Sequence, residues 1–335
     1  MDELRIAFER NPPPDLSVTF GSTRGPNSIF LSPFYLLGFI GRMIYLRIGG
    51  RLDLLHLNLA SYGSTWRKLI LARVASFLGI RYIIHLHGAL YRDFWQKAPK
   101  LIQREIRYLF SNAAHVIVLG TVWRDFIADC VPEARDRIEI LPNATRRSSL
   151  PHRTGGETVV ILFLGRVSER KGAPQLMDAL NRLQSLSAWR AVIAGDGDLA
   201  TARARIRELS LEGRVQLPGW VGPGEVESLI AEADILVLPS FDENLPMSVI
   251  EGMAAGLAIV ATPVGAVEDI ITDDQTGLLV PPGDVAALAD ALRRLIENPV
   301  LRQQLGTAAA EFQRQHLDID VYAQTLAKLW RQSVS

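Results

Sequence analysis

Pro239-Ser240-Phe241-Asp242-Glu243-Asn244-Leu245-Pro246-Met247-Ser248-Val249-Ile250-Glu251-Gly252-Met253-Ala254-Ala255-Gly256 follows the apolar run Ile235–Leu238. Four consecutive apolar residues closed by Pro-Ser read as a strand buried on both faces. Pro is tolerated in a first helical turn, so the spacing predicts a helix beginning near Leu245 or Pro246. Glu243 then sits on the loop at the carboxyl end of a strand, where open α/β sheets bind ligands. Glu251 falls in the second turn of the following helix, close enough to face the same crevice. The backbone N–H groups of Asn244 and Leu245, at the expected helix start, offer an anion site beside a carboxylate.

Outward from this stretch, short apolar runs alternate with longer amphipathic ones. Leu4–Phe8, Leu52–Leu59, Arg81–His87, His115–Leu119 and Ile138–Leu141 read as buried strands in the first half. Thr158–Leu164, Ala191–Ala194, Val215–Leu217, Ala258–Ala261 and Gly277–Val280 join Ile235–Leu238 in the second. Trp66–Phe77, Lys100–Ser111 and Val285–Glu297 carry helical periodicity between them. Such alternation predicts α/β architecture with doubly wound sheets. Pro142 to Glu157 gathers turn formers and polar residues, as a linker does. The expected organisation is a first Rossmann-like domain over 1–145, a second over 155–315, and a helical tail over 316–335.

The 335 residues suit two domains of roughly 150 residues each. Formal charge is zero, yet residues 1–150 hold 20 Lys+Arg against 12 Asp+Glu, and the remainder 16 against 24. A balance of +8 facing one of −8 implies different partners, the basic half suiting an anionic surface or ligand. One cysteine, Cys130, excludes an internal disulfide framework and a four-cysteine zinc site and suits a reducing, cytoplasmic compartment. The acidic start Met1-Asp2-Glu3 argues against a secretory signal. Ile29–Ile48 is the most apolar long segment, but Pro33, Arg42 and Arg47 interrupt it, which excludes a membrane span. A helix packed on a sheet is the first reading; an apolar face edged with arginines also suits the inner surface of a bilayer.

A second constellation is Phe163-Leu164-Gly165-Arg166-Val167-Ser168-Glu169-Arg170-Lys171-Gly172. Arg166 and Lys171, five apart after a strand end, give a planar fork and a mobile point charge, a pairing suited to a diphosphate. Arg170 reads as a solvated neighbour. Gly195-Asp196-Gly197-Asp198-Leu199-Ala200 fits the dinucleotide fingerprint, but no carboxylate closes the next strand, and its two aspartates would repel a pyrophosphate. Its Asp-x-Asp spacing is discounted as a metal site for the same reason.

With both constellations in view, the sequence resembles the family 4 retaining glycosyltransferases, whose fold is GT-B: two Rossmann-like domains facing each other across a cleft. The resemblance rests on two glutamates separated by seven residues, Glu243 and Glu251. It continues through Met253–Ala266, Glu268 and Thr276–Asp284, and covers essentially 158–310. It implies that Glu243 contacts the donor sugar and that Glu251 holds the ribose of a nucleotide. Arg166 and Lys171 would meet the diphosphate, and Trp220-Val221 would flank the base. The donor would be a UDP- or GDP-linked sugar, with no cofactor, no metal and no nucleic acid. The tail 316–335 would cross back to the first domain.

In the first half, Tyr82-Ile83-Ile84-His85-Leu86-His87-Gly88 ends a strand with two histidines on one face. His85 reads as buried and structural. His87-Gly88 resembles the family's active-site histidine and the small residue after it, which implies a catalytic contact with the donor sugar. Leu55–Lys68 resembles members that build bacterial exopolysaccharides, capsules or O-antigens. Ser64 or Thr65 would cap a helix there, and Arg67 and Lys68 would be acceptor-side cations.

The departures are specific. The family's Gly-Gly turn after its first strand has no clear counterpart; Gly21 and Gly25, in Gly21-Ser22-Thr23-Arg24-Gly25-Pro26-Asn27, are the available glycines, and the early chain looks short. Asn244 stands where glycine is usual, and tolerates positive φ. Gly252 stands where alanine is common. The expected activity is retaining, metal-independent hexosyl transfer from a nucleotide-sugar to a glycan or lipid-linked acceptor in cell-surface polysaccharide synthesis. A catalytically silent binding subunit of the same fold, or a nucleotide-sugar epimerase, is the alternative.

Overall fold

The computed structural model describes residues 2–10, 12–13, 15–25, 31–147 and 156–334. Residues 148–155 of the expected linker, Ile29 and Phe30 at the start of the apolar segment, and Pro26 and Asn27 lie outside them. The chain divides into two compact units, one of Met1–Pro142 with Ile319–Ser335, the other Asn143–Asp318.

The first unit contains α1 (Asp2–Arg10), α2 (Ser32–Ile48), β1 (Leu54–Leu59), α3 (Gly63–Phe77), β2 (Arg81–Leu86), α4 (Tyr91–Lys97), α5 (Lys100–Ser111), β3 (His115–Val118), α6 (Thr121–Cys130) and β4 (Ile138–Ile140). Its strands form a parallel sheet in the order β1-β2-β3-β4, with β1 and β2 in register from Leu54↔Arg81 to Leu59↔Leu86. Parallel strands covered on both faces must be apolar throughout, and β2 is buried from Tyr82 to Leu86.

The expected first strand, Leu4–Phe8, is instead the core of helix α1. Its apolar run is too short for periodicity to separate strand from helix. The decision comes from 320 residues downstream: the last helix, Ile319–Val334, packs on α1, with Phe8 stacked on Trp330 at 5.2 Å between ring centroids. An Arg5–Glu9 pair at i,i+4 and an Asp15–Arg331 pair accompany that packing.

The second unit contains β5 (Val159–Leu164), α7 (Ala173–Asn181), β6 (Trp189–Ala194), α8 (Leu199–Glu208), β7 (Val215–Gly219), α9 (Pro223–Glu232), β8 (Ile235–Leu238), α10 (Met247–Ala254), β9 (Ala258–Ala261), β10 (Leu278–Leu279), α11 (Val285–Glu297) and α12 (Pro299–His316); the Ile319–Val334 helix is α13. Its sheet is parallel, in the order β10-β9-β8-β5-β6-β7. The strand order reverses at β5, which pairs with β6 on one side and β8 on the other. The loops leaving β5 and β8 therefore flank the switch point where doubly wound sheets open a crevice. Among the described residues no helix is long and apolar enough to cross a membrane.

Candidate active site

The loops after β5 and β8 carry the two groups that the sequence singles out, and the fold joins them. Lys171 Nζ donates to Glu243 Oε1, and Ser240 Oγ donates to the same oxygen at 2.8 Å. Ser240 is held in turn, its carbonyl accepting from Thr262 Oγ1 at 2.6 Å beyond the end of β9. The side chains of Lys171 and Glu243 are 14% and 8% exposed. A charge so far from water is costly unless paired and hydrogen-bonded, and each partner here meets that need for the other.

The backbone around the pair is equally constrained. Gly172 adopts φ +70°, and a Cβ there would meet the Pro239 carbonyl oxygen at 2.0 Å. Only glycine allows the β5 loop to lie on the β8 loop so closely. Phe241 N–H donates to the Arg170 carbonyl at 2.8 Å, and the Arg170 guanidinium donates to the Asp242 carbonyl at 2.6 Å. Arg170 is exposed, the solvated neighbour the sequence indicates, and from there it also clamps the Glu243 loop. Arg166 is exposed in the same β5 loop, and among the described residues nothing pairs with its guanidinium.

Helix α10 begins at Met247, later than the sequence indicates, with Pro246 at its N-cap position. Asn244 and Leu245 therefore lie in the loop, where the Asn244 carbonyl accepts from Ala266 N–H at 2.7 Å and the Leu245 carbonyl from Asn143 Nδ2 at 3.1 Å. Both residues are buried, and Glu251 is half-buried in the second turn of α10.

Gly195-Asp196-Gly197 packs on the backbone of the loop that leaves β5. A Cβ on Gly195 would meet the Gly165 carbonyl at 1.9 Å, and Val167 N–H donates to the Asp196 carbonyl at 2.6 Å. The turn is filled by the chain's own backbone. Asp198 caps α8, accepting from Thr201 N–H at 3.1 Å; hydrogen bonding to the Thr201 side chain first, and then to its backbone N–H, lowers the Asp198 carboxyl pKa. Trp220, expected beside a base, is 73% exposed just after β7.

His87 belongs to the first unit. Its N–H donates to the Leu59 carbonyl at 2.8 Å, and its Nε2 lies 3.1 Å from Asn58 Oδ1. The His85 ring is 4.1 Å from the His87 ring and 1% exposed, the buried structural residue the sequence indicates. His56 accepts at Nδ1 from Trp330 Nε1 at 2.9 Å. Burial brings the His87 and His56 imidazoles down to about 4, and holds His85 well below its ordinary value. All three are neutral at pH 7, so His87 offers a hydrogen bond rather than a charge.

At the neighbouring strand end, Tyr62 takes φ 58° and α3 starts at Gly63. Ser64 and Thr65 are inside the first turn instead of capping it. Ser64 Oγ accepts from Ala60 N–H at 3.2 Å, and Thr65 Oγ1 donates to the Ala60 carbonyl at 2.9 Å.

Several working residues escaped the sequence reading. Ser240, Thr262 and Asn58 carry no motif of their own, and only contact reveals them. Gly172 had a signal, a glycine directly after the second cation, which a search for close backbone approach would have found.

Comparison with known proteins gives the family. Residues 5–147 match the model of Glycosyltransferase Family 4, and residues 147–312 that of Glycosyl transferases group 1. Alpha-D-kanosaminyltransferase of Streptomyces kanamyceticus is 27% identical over 77% of this chain and 72% of its own length. Phosphatidyl-myo-inositol mannosyltransferase of Mycobacterium leprae is 35% identical over 58% of this chain and 53% of its own. Among solved structures, sucrose-phosphate synthase from Thermosynechococcus elongatus superposes with a TM-score of 0.76 at 22% identity, covering 96% of this chain and 86% of that one. With a parallel α/β sheet in each unit, a lysine–glutamate pair at the switch point of the second and family models over both, the chain belongs to the family 4 glycosyltransferases of GT-B fold.

Proposed function

We propose that the protein transfers a hexose from a UDP- or GDP-linked donor to a glycan or lipid-linked acceptor, with retention at the anomeric carbon and without a metal. In this reading it acts in cell-surface polysaccharide synthesis, in the cytoplasm and peripherally at the inner face of the membrane. The observation that carries the reading is the Lys171–Glu243 pair at the switch point, with the Arg166 guanidinium in the same loop unpaired among the described residues.

Each residue has a role in that scheme. As the bond from the anomeric carbon to the diphosphate breaks, negative charge grows on the leaving phosphate, and Arg166 and Lys171 stabilise it. Glu243 holds Lys171 in place and contacts the donor sugar, while Glu251 binds the ribose hydroxyls. The loop backbone of Asn244 and Leu245 lies against the donor. The leaving phosphate takes the proton of the acceptor hydroxyl on the face it departs from, which keeps the configuration. His87, neutral, donates a hydrogen bond to the sugar. Two cations do the work that a bound divalent ion would do elsewhere.

A thermal-shift panel of UDP-, GDP- and ADP-sugars tests the donor, since a ligand that binds only the folded state raises its apparent stability. A shift with a UDP- or GDP-sugar that is lost in Glu251→Ala is expected. Product anomers read by NMR test retention, and full activity after exhaustive chelation tests metal independence. No shift and no donor hydrolysis with any of the three sugars would favour a silent binding subunit.

A further inference from the structure

The first unit holds a second cationic cluster, and it is built differently. Lys68 Nζ donates to Thr23 Oγ1 at 3.0 Å, and among the described residues no carboxylate pairs with Lys68, Arg67 or Arg24. Arg67 Nε is buried without a hydrogen-bond partner. Burial, then the Arg67 charge, lowers the Lys68 ammonium to about 8, and burial, then the Arg24 charge, lowers Arg67. Three cations that disfavour one another, gathered where a helix begins, form a site short of an anion.

The loop that brings Thr23 and Arg24 to this cluster rests on α2. A Cβ on Gly21 would meet Phe39 at 2.7 Å, and one on Gly25 (φ +78°) would meet Tyr35 at 2.2 Å. The glycines let the loop lie flat on those rings. Beside it runs an apolar groove of about 360 Å³ lined by Gly21, Ser22, Phe34, Tyr35, Gly38 and Phe39, with Arg42 at its edge. Phe34 and Leu37 on this helix are 71% and 65% exposed. One short loop therefore touches both a groove of aromatic carbon, through Gly21 and Ser22, and the cation cluster, through Thr23.

We infer that the Arg24–Arg67–Lys68 cluster and the α2 groove together bind an amphiphile, a phosphorylated hydrocarbon, whose phosphate meets the cations and whose first isoprenoid or acyl carbons fill the groove. Resting on the proposed function, this narrows the acceptor class from any glycan or lipid-linked sugar to one carried on a lipid phosphate. The charge complementarity is that of a phosphate with a guanidinium fork, and the groove excludes a fully solvated sugar phosphate as its natural occupant.

The test is calorimetric titration of the full chain with citronellyl phosphate, inorganic phosphate and citronellol. Citronellyl phosphate should bind at least tenfold more tightly than either of the others. The double variant Arg67→Gln, Lys68→Gln should weaken it tenfold or more. Gly38→Leu should fill the groove and bring citronellyl phosphate down to the affinity of inorganic phosphate, leaving the latter unchanged. A Cβ at position 38 meets nothing within 4 Å, so the backbone accepts a side chain there without displacement. Inorganic phosphate binding as tightly as the amphiphile would assign the cluster to a soluble phosphate and overturn the inference. Equal binding by the double variant would overturn it too, as would sedimentation with phosphatidylglycerol vesicles equal to the citronellyl phosphate signal and indifferent to Gly38→Leu. UDP-glucose and GDP-mannose binding, measured on the same proteins, reports the second unit alone. Loss of donor binding with amphiphile binding intact would sink the proposed function and leave this inference standing, and the reverse pattern would do the opposite.

Discussion

Two lysines follow parallel strands, Lys171 in the loop after β5 and Lys68 in the second turn of α3, one in each unit, and the protein treats them in opposite ways. Lys171 is buried against Glu243, with Ser240 completing the carboxylate's hydrogen bonds. Lys68 is half-buried against a hydroxyl, with Arg67 beside it and, among the described residues, no acid. The first arrangement is electrostatically complete before any ligand arrives and so fixes geometry. The second stores an unfavourable charge that a ligand would neutralise. A cation pre-positioned by an acid suits a centre that must hold its shape during bond cleavage, while an uncompensated one suits recognition of an anion.

The same substitution should therefore change sign between the two units. Lys171→Met leaves Glu243 buried without its cation, and is expected to cost about 3–5 kcal/mol of stability and about 10²–10³-fold in transfer rate. Denaturant midpoints and kcat on one preparation check both figures. An unchanged midpoint would mean that the pair is not holding the loop.

Acid separates the units next. The unfolded chain takes up protons on His56 and His87 near pH 6.5, whereas the native chain does so only near 4. The unfolded state thus binds more protons between those values, and stability must fall as pH falls from about 6.5 to 4. A shift of that size is worth about 3 kcal/mol for one histidine. Urea midpoints at pH 7, 5.5 and 4.5 should decline, and replacing His56 with Gln should flatten the slope.

Lys68→Met is expected to stabilise the protein by about 1–3 kcal/mol at pH 7, because it removes a charge that the native state disfavours. Native Lys68 releases its proton near 8 and the unfolded lysine near 10.5, so the wild type gains relative stability as pH rises through that window. The advantage of Lys68→Met over wild type should shrink between pH 8 and 10. A melting-temperature difference that stays constant with pH would show that Lys68 is not strained by burial.

The smallest expected effect is a calibration inside α2. Gly41 is in the helix interior with nothing within 4 Å of an added Cβ. Gly41→Ala should add up to about 1 kcal/mol through helix propensity alone. Gly172→Ala, by contrast, drives a Cβ into the Pro239 carbonyl and should be clearly destabilising in the same melting assay.

Much of this was legible beforehand because buried parallel strands need unbroken apolar runs, and nearly all of those runs are strands. Leu4–Phe8 failed because a five-residue run carries too little periodicity, and the partner that made it a helix lies at the other end of the chain. Arg170 is exposed as read, but its bond to the Asp242 carbonyl was not legible, because an exposed arginine looks the same in sequence whether or not it also meets a carbonyl. Ser64 and Thr65 have the residue types of a cap, yet the backbone turned at Tyr62 and placed them two and three positions past the cap.

By itself the sequence determined which segments are strands and which loops carry charge, since apolar runs and glycine turns are local properties of the chain. Tertiary structure alone decided which charges meet: the β5–β8 adjacency sets Lys171 on Glu243, and the loop over α2 sets Thr23 on Lys68. Pairing depends on strand order and loop contact, and those are settled by burying apolar surface from residues far apart in the chain.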